Sequence, residues 1–188
     1  MIPISDSDHK PSRFPFINIT FILLNIFAFF VQMTSPDQEA FIYQYALVPA
    51  YINFSDWSTL YPFITSMFLH ANLLHIGSNM VYLWVFGDNV EGEFPPFMYL
   101  LLYLGSGIVG SLAQYMLAPT SEIPMLGASG AVAGALGAYF IMFPNHRIKT
   151  IILLPFIFTI VNLNALIVLG QWIVLQLISG SGALGSNM

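Results

Sequence analysis

Long runs of apolar residues constrain this chain more than any other feature of its sequence. Four of them approach the ~20 residues that an α-helix needs to cross the apolar core of a bilayer. A fifth run, residues 151–178, exceeds one ordinary span and is interrupted by Asn162 and Asn164. The pattern predicts an all-α fold, a membrane bundle of about five spanning helices forming one domain, residues 1–188. The first four runs are residues 16–33, 62–85, 97–117 and 126–143.

The composition excludes most other classes of protein. Hydrophobic residues make up 57% of the 188 residues and charged residues only 7%, whereas a soluble domain carries roughly a quarter charged residues. The basic residues form no patch that could hold nucleic acid. There is no cysteine, so disulfides and thiolate ligands are excluded. We predict a lipid bilayer as the surroundings, no cofactor and no nucleic-acid partner, and the oligomeric state stays open.

The fifth apolar run is interpreted as one span from Thr159 to Ile178, preceded by a buried or interfacial segment that ends near Phe158. Two short helices are the alternative. The first run is too long and too aromatic for a cleaved signal peptide, and no small-residue cleavage site follows it. We therefore treat the first run as a span.

The four basic residues predict the orientation of the chain. Lys10 and Arg13 precede the first apolar run, whereas Arg147 and Lys149 lie between the fourth and fifth runs. A cytoplasmic N-terminal segment, residues 1–15, puts all four on the cytoplasmic side, as the positive-inside rule requires. The loop at 34–61 is then external. Its many aromatic residues, Trp57 among them, favour the membrane interface.

The second apolar run carries polar side chains, which are costly in hydrocarbon and therefore indicate function. In a helix, His75 and Asn79 share one face, and Asn72 joins it. His70 is predicted to point elsewhere, nearer the external end. The spacing of the two histidines is poor for joint coordination, so no metal site is predicted. The alternative is a structural role, in which these side chains hydrogen-bond to neighbouring helices.

The fourth apolar run opens with the string Gly127-Ala128-Ser129-Gly130. Free N–H groups at a helix start stabilise an anion, which is what an oxyanion needs during acyl transfer. Ser129 is therefore a candidate nucleophile, and its alternative role is capping of the helix. Two faces of small residues follow and predict one or two closely packed helices near Ser129. These faces are Gly130, Gly134, Ala138 and Ser129, Ala133, Gly137.

These motifs together resemble a known family. Thr65–Met80, with its His-x-x-x-x-His-x-x-x-Asn pattern, resembles the second core helix of the rhomboid intramembrane serine proteases. Phe86–Glu91 is similar to the turn after that helix in bacterial members, and Gly127–Gly130 matches the family's Gly-x-Ser-Gly signature. The opening Met1–Pro3, with Phe14-Pro15, is also similar.

The resemblance implies a serine endopeptidase that cleaves transmembrane substrates within a bacterial inner membrane. Ser129 would be the nucleophile. His75 and Asn79 would hold the oxyanion together with Gly127, and His70 would support the site from the external side. The resemblance also implies an interfacial element at Trp57 and a structural role at the cytoplasmic turn for Gly87 and Glu91.

The general base that the resemblance implies is not found in this chain. In the family, a histidine on a sixth helix activates the serine, but Ser179–Met188 is similar only to the loop that leads into that helix. His9 and His146 lie outside the apolar runs. Because an isolated serine hydroxyl is a poor nucleophile, we expect the chain, interpreted as truncated before the sixth helix, to be inactive as given. The alternative is a non-catalytic relative that binds membrane helices.

The predicted orientation can be tested by cysteine labelling, because the chain has no cysteine of its own. Single cysteines at positions 57 and 122 should react with a membrane-impermeant reagent added from outside, and those at positions 10 and 147 should not. The basis is the one-sided distribution of basic residues. Labelling at 147 but not at 122 would contradict the orientation.

Overall fold

The computed structural model describes residues 1–154 and 157–185. Short 3₁₀ turns occur at Pro49–Tyr51, Trp57–Thr59 and Ser66–Phe68, and a π-helical turn, Leu83–Gly87, joins α4 to α5. The strands and helices follow in chain order: β1 (Ile2–Asp6), α1 (Phe16–Thr34), α2 (Gln38–Tyr45), α3 (Pro62–Thr65), α4 (Leu73–Tyr82), α5 (Asp88–Glu93), α6 (Pro96–Leu117), α7 (Ser129–Met142), β2 (Arg147–Leu154), β3 (Ile157–Asn164) and α8 (Ala165–Gly185).

Among the described residues, α1 and α6 are long and apolar enough to cross a membrane. The helix α7 and the segment Ala165–Ile178 of α8 are apolar but shorter. Many large apolar side chains of α1 and α6 are exposed at the surface of the molecule, as expected for helices that face lipid. The mostly helical architecture is confirmed, but the expected number of spans is not.

The second apolar run does not form one continuous helix. Leu69 has an extended backbone (φ −90°, ψ 151°), and α4 begins only at Leu73. Asn72 is the residue that caps α4, and its Oδ1 accepts a hydrogen bond from the His75 N–H at 2.9 Å. The predicted helical face that included Asn72 is therefore wrong, because Asn72 and His70 both precede the helix.

A three-stranded antiparallel sheet in the order β1-β2-β3 corrects the all-α prediction. β2 and β3 form a hairpin whose register runs from Arg147↔Asn164 to Leu154↔Ile157. Its strands are rich in β-branched residues, which favour extended backbone. Thr159 therefore lies in β3, and the last helix begins at Ala165 rather than at Thr159.

The C-terminal part also differs from the prediction. α8 continues through Gly185, so residues 179–185 are helical where a loop was expected. Residues 186–188 of that expected loop lie outside the described part of the chain, as do Pro155 and Phe156 of the expected interfacial segment.

Asp6 ties the N-terminal segment to the end of α7. Its Oδ1 accepts hydrogen bonds from the N–H groups of Asp8 and His9 at 2.8 and 3.1 Å. Its Oδ2 accepts one from the Tyr139 hydroxyl and lies 3.1 Å from His146 Nδ1. The Asp8 carboxylate in turn accepts the Arg147 N–H at 2.9 Å. The N-terminal segment and the β2–β3 hairpin thus lie at one end of the molecule, in agreement with the predicted placement of their basic residues on one side of the membrane.

The inner face of α1 carries buried amide side chains at seven-residue intervals, Asn18, Asn25 and Gln32. Asn18 accepts a hydrogen bond from the Tyr99 hydroxyl at 2.7 Å, and Asn25 Nδ2 donates to the Tyr103 hydroxyl at 3.1 Å. Since hydrocarbon offers no alternative partners to these groups, the bonds fix the register of α1 against α6.

Glu91 lies buried at the start of α1, where its carboxylate accepts the N–H groups of Ile17 and Asn18 at 2.9 and 2.6 Å. These donors have no intrahelical acceptor, and the helix dipole favours a negative charge there. At Gly87, a β-carbon would collide with the Asn18 and Tyr99 side chains. Both residues therefore have a structural role at this turn.

Glycines allow α6 and α7 to pack closely. A β-carbon on Gly130 would lie 3.3 Å from the Gly110 Cα, and one on Gly134 would collide with the Ser106 side chain. The face of Gly130 and Gly134 therefore has its partner in α6. By contrast, a β-carbon on Gly137 would meet no atom within 4 Å.

Substituting alanine at two glycines of α7 should separate packing from helix propensity. Gly134→Ala should lower stability by roughly 1–3 kcal/mol, because its new methyl group overlaps Ser106. Gly137→Ala is the matched control and should be neutral or stabilising by up to about 1 kcal/mol, since alanine favours the helix. Thermal unfolding in detergent micelles measures both variants. Equal destabilisation would contradict this packing.

Candidate active site

Ser129 is the first residue of α7. The preceding Ala128 has φ −73° and ψ −1°, and no side chain caps the helix. The Ser129 hydroxyl makes no hydrogen bond to any other described residue. The capping role considered for this serine is therefore not observed. The N–H groups of the first turn lack intrahelical acceptors, and the helix dipole makes this end attractive to an anion.

Gly127 has a backbone conformation that only glycine adopts without strain, with φ +129°. A β-carbon here would lie 2.8 Å from His75 Cε1 and 2.9 Å from His75 Nε2, so the histidine ring occupies the space that a side chain would need. The Gly127 N–H donates to the Ser66 carbonyl at 2.9 Å. Gly127 therefore provides room for His75, and its N–H is already engaged rather than free for an oxyanion.

The His75 ring presents a hydrogen-bond donor toward Gly127. Its Nδ1 accepts a long hydrogen bond from the Ala71 N–H, at 3.4 Å. In a neutral imidazole, a nitrogen that accepts leaves the proton on the other nitrogen. We assign that proton to Nε2, the atom that lies against Gly127, two residues before Ser129.

Asn79 lies one turn after His75 and is completely buried. Its Nδ2 donates to the His75 carbonyl at 3.2 Å, whereas its Oδ1 has no hydrogen-bond partner in the described part of the chain. An amide with an unused buried atom is costly in a protein interior and is a candidate to bind a polar group that is not present here.

The His70 ring lies against the His75 ring, with centroids 5.1 Å apart and an interplanar angle of 75°. The prediction that His70 points elsewhere is wrong, because the extended backbone before α4 turns the two rings together. The His70 backbone is held by Gln32, which the sequence arguments did not single out. The seven-residue spacing of Asn18, Asn25 and Gln32 was a signal that could have identified it.

The loop at 34–61 is joined to the segment that precedes Ser129. Leu47 and Met125 exchange backbone hydrogen bonds of 3.0 and 2.8 Å. In the same loop Trp57 is 84% exposed, as an interfacial aromatic residue should be. Hydrogen bonds from the Ser58 hydroxyl and N–H hold the pKa of Asp56 below its usual range.

The remaining histidines do not reach the site. His9 and His146 contact each other and Phe143, at the opposite end of α7 from Ser129. Tyr139, which shares Asp6 with His146, is ten residues along the helix from Ser129, a distance of roughly 15 Å. Among the described residues, no group of three or more His, Asp or Glu side chains could hold a metal ion.

Comparison with known proteins identifies one matching family model and several relatives. The rhomboid domain model matches residues 58–186. The chain is 32% identical over 136 residues to "Rhomboid protease GluP" of Bacillus subtilis (strain 168), covering 71% of this chain and 26% of that protein. It is 40% identical over 84 residues to "Rhomboid-like protein 11, chloroplastic" of Arabidopsis thaliana, covering 45% of this chain and 29% of that protein. It is also 36% identical over 89 residues to "Rhomboid protein 1, mitochondrial" of Saccharomyces cerevisiae, covering 45% of this chain and 26% of that protein.

The fold and the site define a helical membrane protein in which a histidine ring packs on the glycine two residues before a serine that starts an uncapped helix. The chain belongs to the rhomboid family, whose members are integral membrane proteins. It spans about a quarter of the length of the curated relatives described above.

Gly127→Ala should disturb the site specifically. The positive φ is strained for alanine, and the new β-carbon would overlap the His75 ring. We expect a loss of roughly 1–3 kcal/mol in stability and a displaced His75 ring. Thermal unfolding measures the first effect and histidine ring NMR signals the second. Gly105→Ala, where a β-carbon meets no atom within 4 Å, is the control. An unchanged His75 signal in Gly127→Ala would show that the ring does not lie on Gly127.

Proposed function

We propose that this chain is the core of a serine endopeptidase that cleaves transmembrane segments of other proteins. The observation that carries the proposal is the contact between the His75 ring and Gly127, which puts a ring N–H beside the uncapped start of the helix that begins at Ser129. The similarity to a relative named as a rhomboid protease supports the same class of activity.

Ser129 is the proposed nucleophile. Attack of its Oγ on a peptide carbonyl forms the C–O bond of a tetrahedral intermediate and moves the carbonyl electrons onto oxygen. The general base takes the hydroxyl proton during the attack and returns it to the amine as collapse of the intermediate breaks the C–N bond. The same base later deprotonates the water that hydrolyses the acyl-enzyme. The N–H groups of the first turn of α7 face developing negative charge with the favourable end of the helix dipole.

His75 and Asn79 are the proposed side-chain stabilisers of the oxyanion. The Nε2–H of His75 is available as a donor because Nδ1 accepts from Ala71. Asn79 donates one Nδ2 hydrogen to the His75 backbone carbonyl, which leaves its second Nδ2 hydrogen as the proposed donor to the oxyanion. Gly127 contributes by leaving space for the ring, and His70 packs against its face.

The same protonation argues that His75 is not the general base. A base must offer an unprotonated nitrogen to the Ser129 hydroxyl, whereas in the tautomer that we assign from the Ala71 contact, Nε2 of His75 carries the proton. His9 and His146 are at the wrong end of α7. We therefore propose that the base comes from a histidine on a further helix, and that the 188-residue chain by itself is inactive.

The proposed substrates are membrane proteins, because the site lies among apolar helices that exclude soluble polypeptides. A cytoplasmic N-terminus in a bacterial inner membrane is the proposed setting. The structure's grouping of the N-terminal segment with the β2–β3 hairpin supports that orientation.

A second candidate function is non-catalytic binding of membrane helices. Its support is the lack of a base near Ser129 among the described residues. The retention of Ser129, His75 and Asn79 argues for the protease, since polar groups in a membrane are costly without a role.

Cleavage of a purified transmembrane substrate in detergent distinguishes these functions. The 188-residue chain should show no cleavage above its Ser129→Ala variant. The chain extended by a helix with a histidine facing Ser129 should cleave, and this activity should vanish with Ser129→Ala. Loss of one oxyanion donor in His75→Ala should lower kcat on the order of 10²–10³-fold, and Asn79→Ala should also lower it.

Two outcomes would contradict the proposal. Cleavage by the 188-residue chain that depends on Ser129 would mean that the base is misassigned, with His75 as the first alternative. An extended chain that folds but stays inert would favour the non-catalytic function. Circular dichroism and thermal unfolding of each variant report whether it has folded.

A further inference from the structure

Gln32 makes a two-point contact with the backbone of His70. Its Nε2 donates to the His70 carbonyl at 2.8 Å, and its Oε1 accepts the His70 N–H at 3.2 Å. Gln32 is 3% exposed and His70 is fully buried. The amide thus replaces the hydrogen bonds that an uninterrupted helix would have supplied to this residue.

The contact is connected to the candidate site by direct steps. His70 lies in the extended segment just before α4, so holding its backbone sets where α4 begins. Its ring packs edge to face on His75, and the Phe29 ring also packs edge to face on it, with centroids 6.4 Å apart. His75 in turn lies on Gly127. A displacement of the His70 backbone would therefore move the Nε2–H of His75 relative to Ser129.

We propose that Gln32 is a positioning residue for the oxyanion side of the site, acting from α1 through His70 on His75. Its catalytic meaning rests on the proposed function, but the positioning itself is a property of the folded chain. Among the described residues, Gln32 hydrogen-bonds to His70 and to neither Ser129 nor Gly127.

Asn25 provides the matched comparison. It lies seven residues before Gln32 on the same buried face of α1 and also hydrogen-bonds across the bundle, to the Tyr103 hydroxyl at 3.1 Å. Its partner is on α6, not on the segment before α4. A merely structural role for Gln32 predicts equal effects of removing either amide, whereas a positioning role predicts a site effect only for Gln32.

The primary experiment uses the 188-residue chain in detergent micelles with isotope-labelled histidine and glycine. The chain has four histidines, so individual His→Gln variants assign their ring signals. The nuclear Overhauser effect between the His75 ring and the Gly127 α-protons reports their contact. We expect it in the parent chain and in Asn25→Leu, and we expect its loss in Gln32→Met, which has a similar volume but no donor.

A conservative variant tests whether a lost ring contact results from the missing hydrogen bonds or from misfolding. Gln32→Glu, when its carboxyl is protonated, offers the same one donor and one acceptor to His70 as the amide does. The contact should therefore be restored at low pH and lost when the carboxyl ionises, with the parent chain at each pH as reference. A contact that persists in Gln32→Met, or that disappears equally in Asn25→Leu, would overturn the proposal.

Cleavage by the extended chain gives a second measurement. Gln32→Met should lower kcat roughly tenfold through misplacement of one oxyanion donor, with KM within about twofold, and Asn25→Leu should leave kcat unchanged. A parent extended chain without Ser129-dependent cleavage would refute the proposed function, and the ring contact would still decide the role of Gln32. A normal kcat in Gln32→Met, alongside a cleaving parent, would overturn the catalytic part.

Discussion

The N–H and carbonyl groups of the backbone at the break before α4 need hydrogen-bond partners inside a largely apolar molecule. The arrangement of the site depends on which groups supply those hydrogen bonds. An uninterrupted helix would satisfy its own N–H and carbonyl groups, but residues 69–72, which lie outside any helix, cannot. Gln32 supplies both bonds to His70, Asn72 caps α4, and the Ser66 carbonyl takes the Gly127 N–H. Each of these bonds also brings a piece of the site into place. Because of this break, the His70 and His75 rings lie together near the start of α7.

The same requirement explains the rest of α1. For an isolated apolar helix in lipid, the hydrophobic free energy differs little between one rotation or depth and another, because lipid tails are as apolar as leucine. The amides of Asn18, Asn25 and Gln32 remove that freedom, and the Glu91 carboxylate fixes the helix start. α1 thus serves as a rigid reference against which α4 and α6 are aligned.

The membrane character and the rhomboid family could be predicted from sequence, because apolar runs and costly polar residues are direct signals. The roles of Ser129, His75 and Asn79 stay a prediction, although the structure does place the His75 ring against Gly127. The helical face containing Asn72 and the position of His70 could not, because spacing arguments assume a continuous helix. The sheet was missed since the β-branched residues Thr159, Ile160 and Val161 of β3 lie in an apolar run long enough for a span. The helix that packs on Gly130 and Gly134 could not be predicted, because a face of small residues indicates close packing but does not identify the partner helix.

The pairing of β1 with β2 has a consequence for biosynthesis. Ile2 pairs with Ile151, so the first strand can close the sheet only after nearly the whole chain up to the hairpin has left the ribosome. The segment before α1 therefore has no strand partner while the intervening helices are inserted. Closing so large a loop is entropically unfavourable until α7 and the hairpin offer Tyr139, Arg147 and the strand edge together. The sheet therefore forms as a late step in assembly, one that a chain with a misinserted fourth apolar run could not complete.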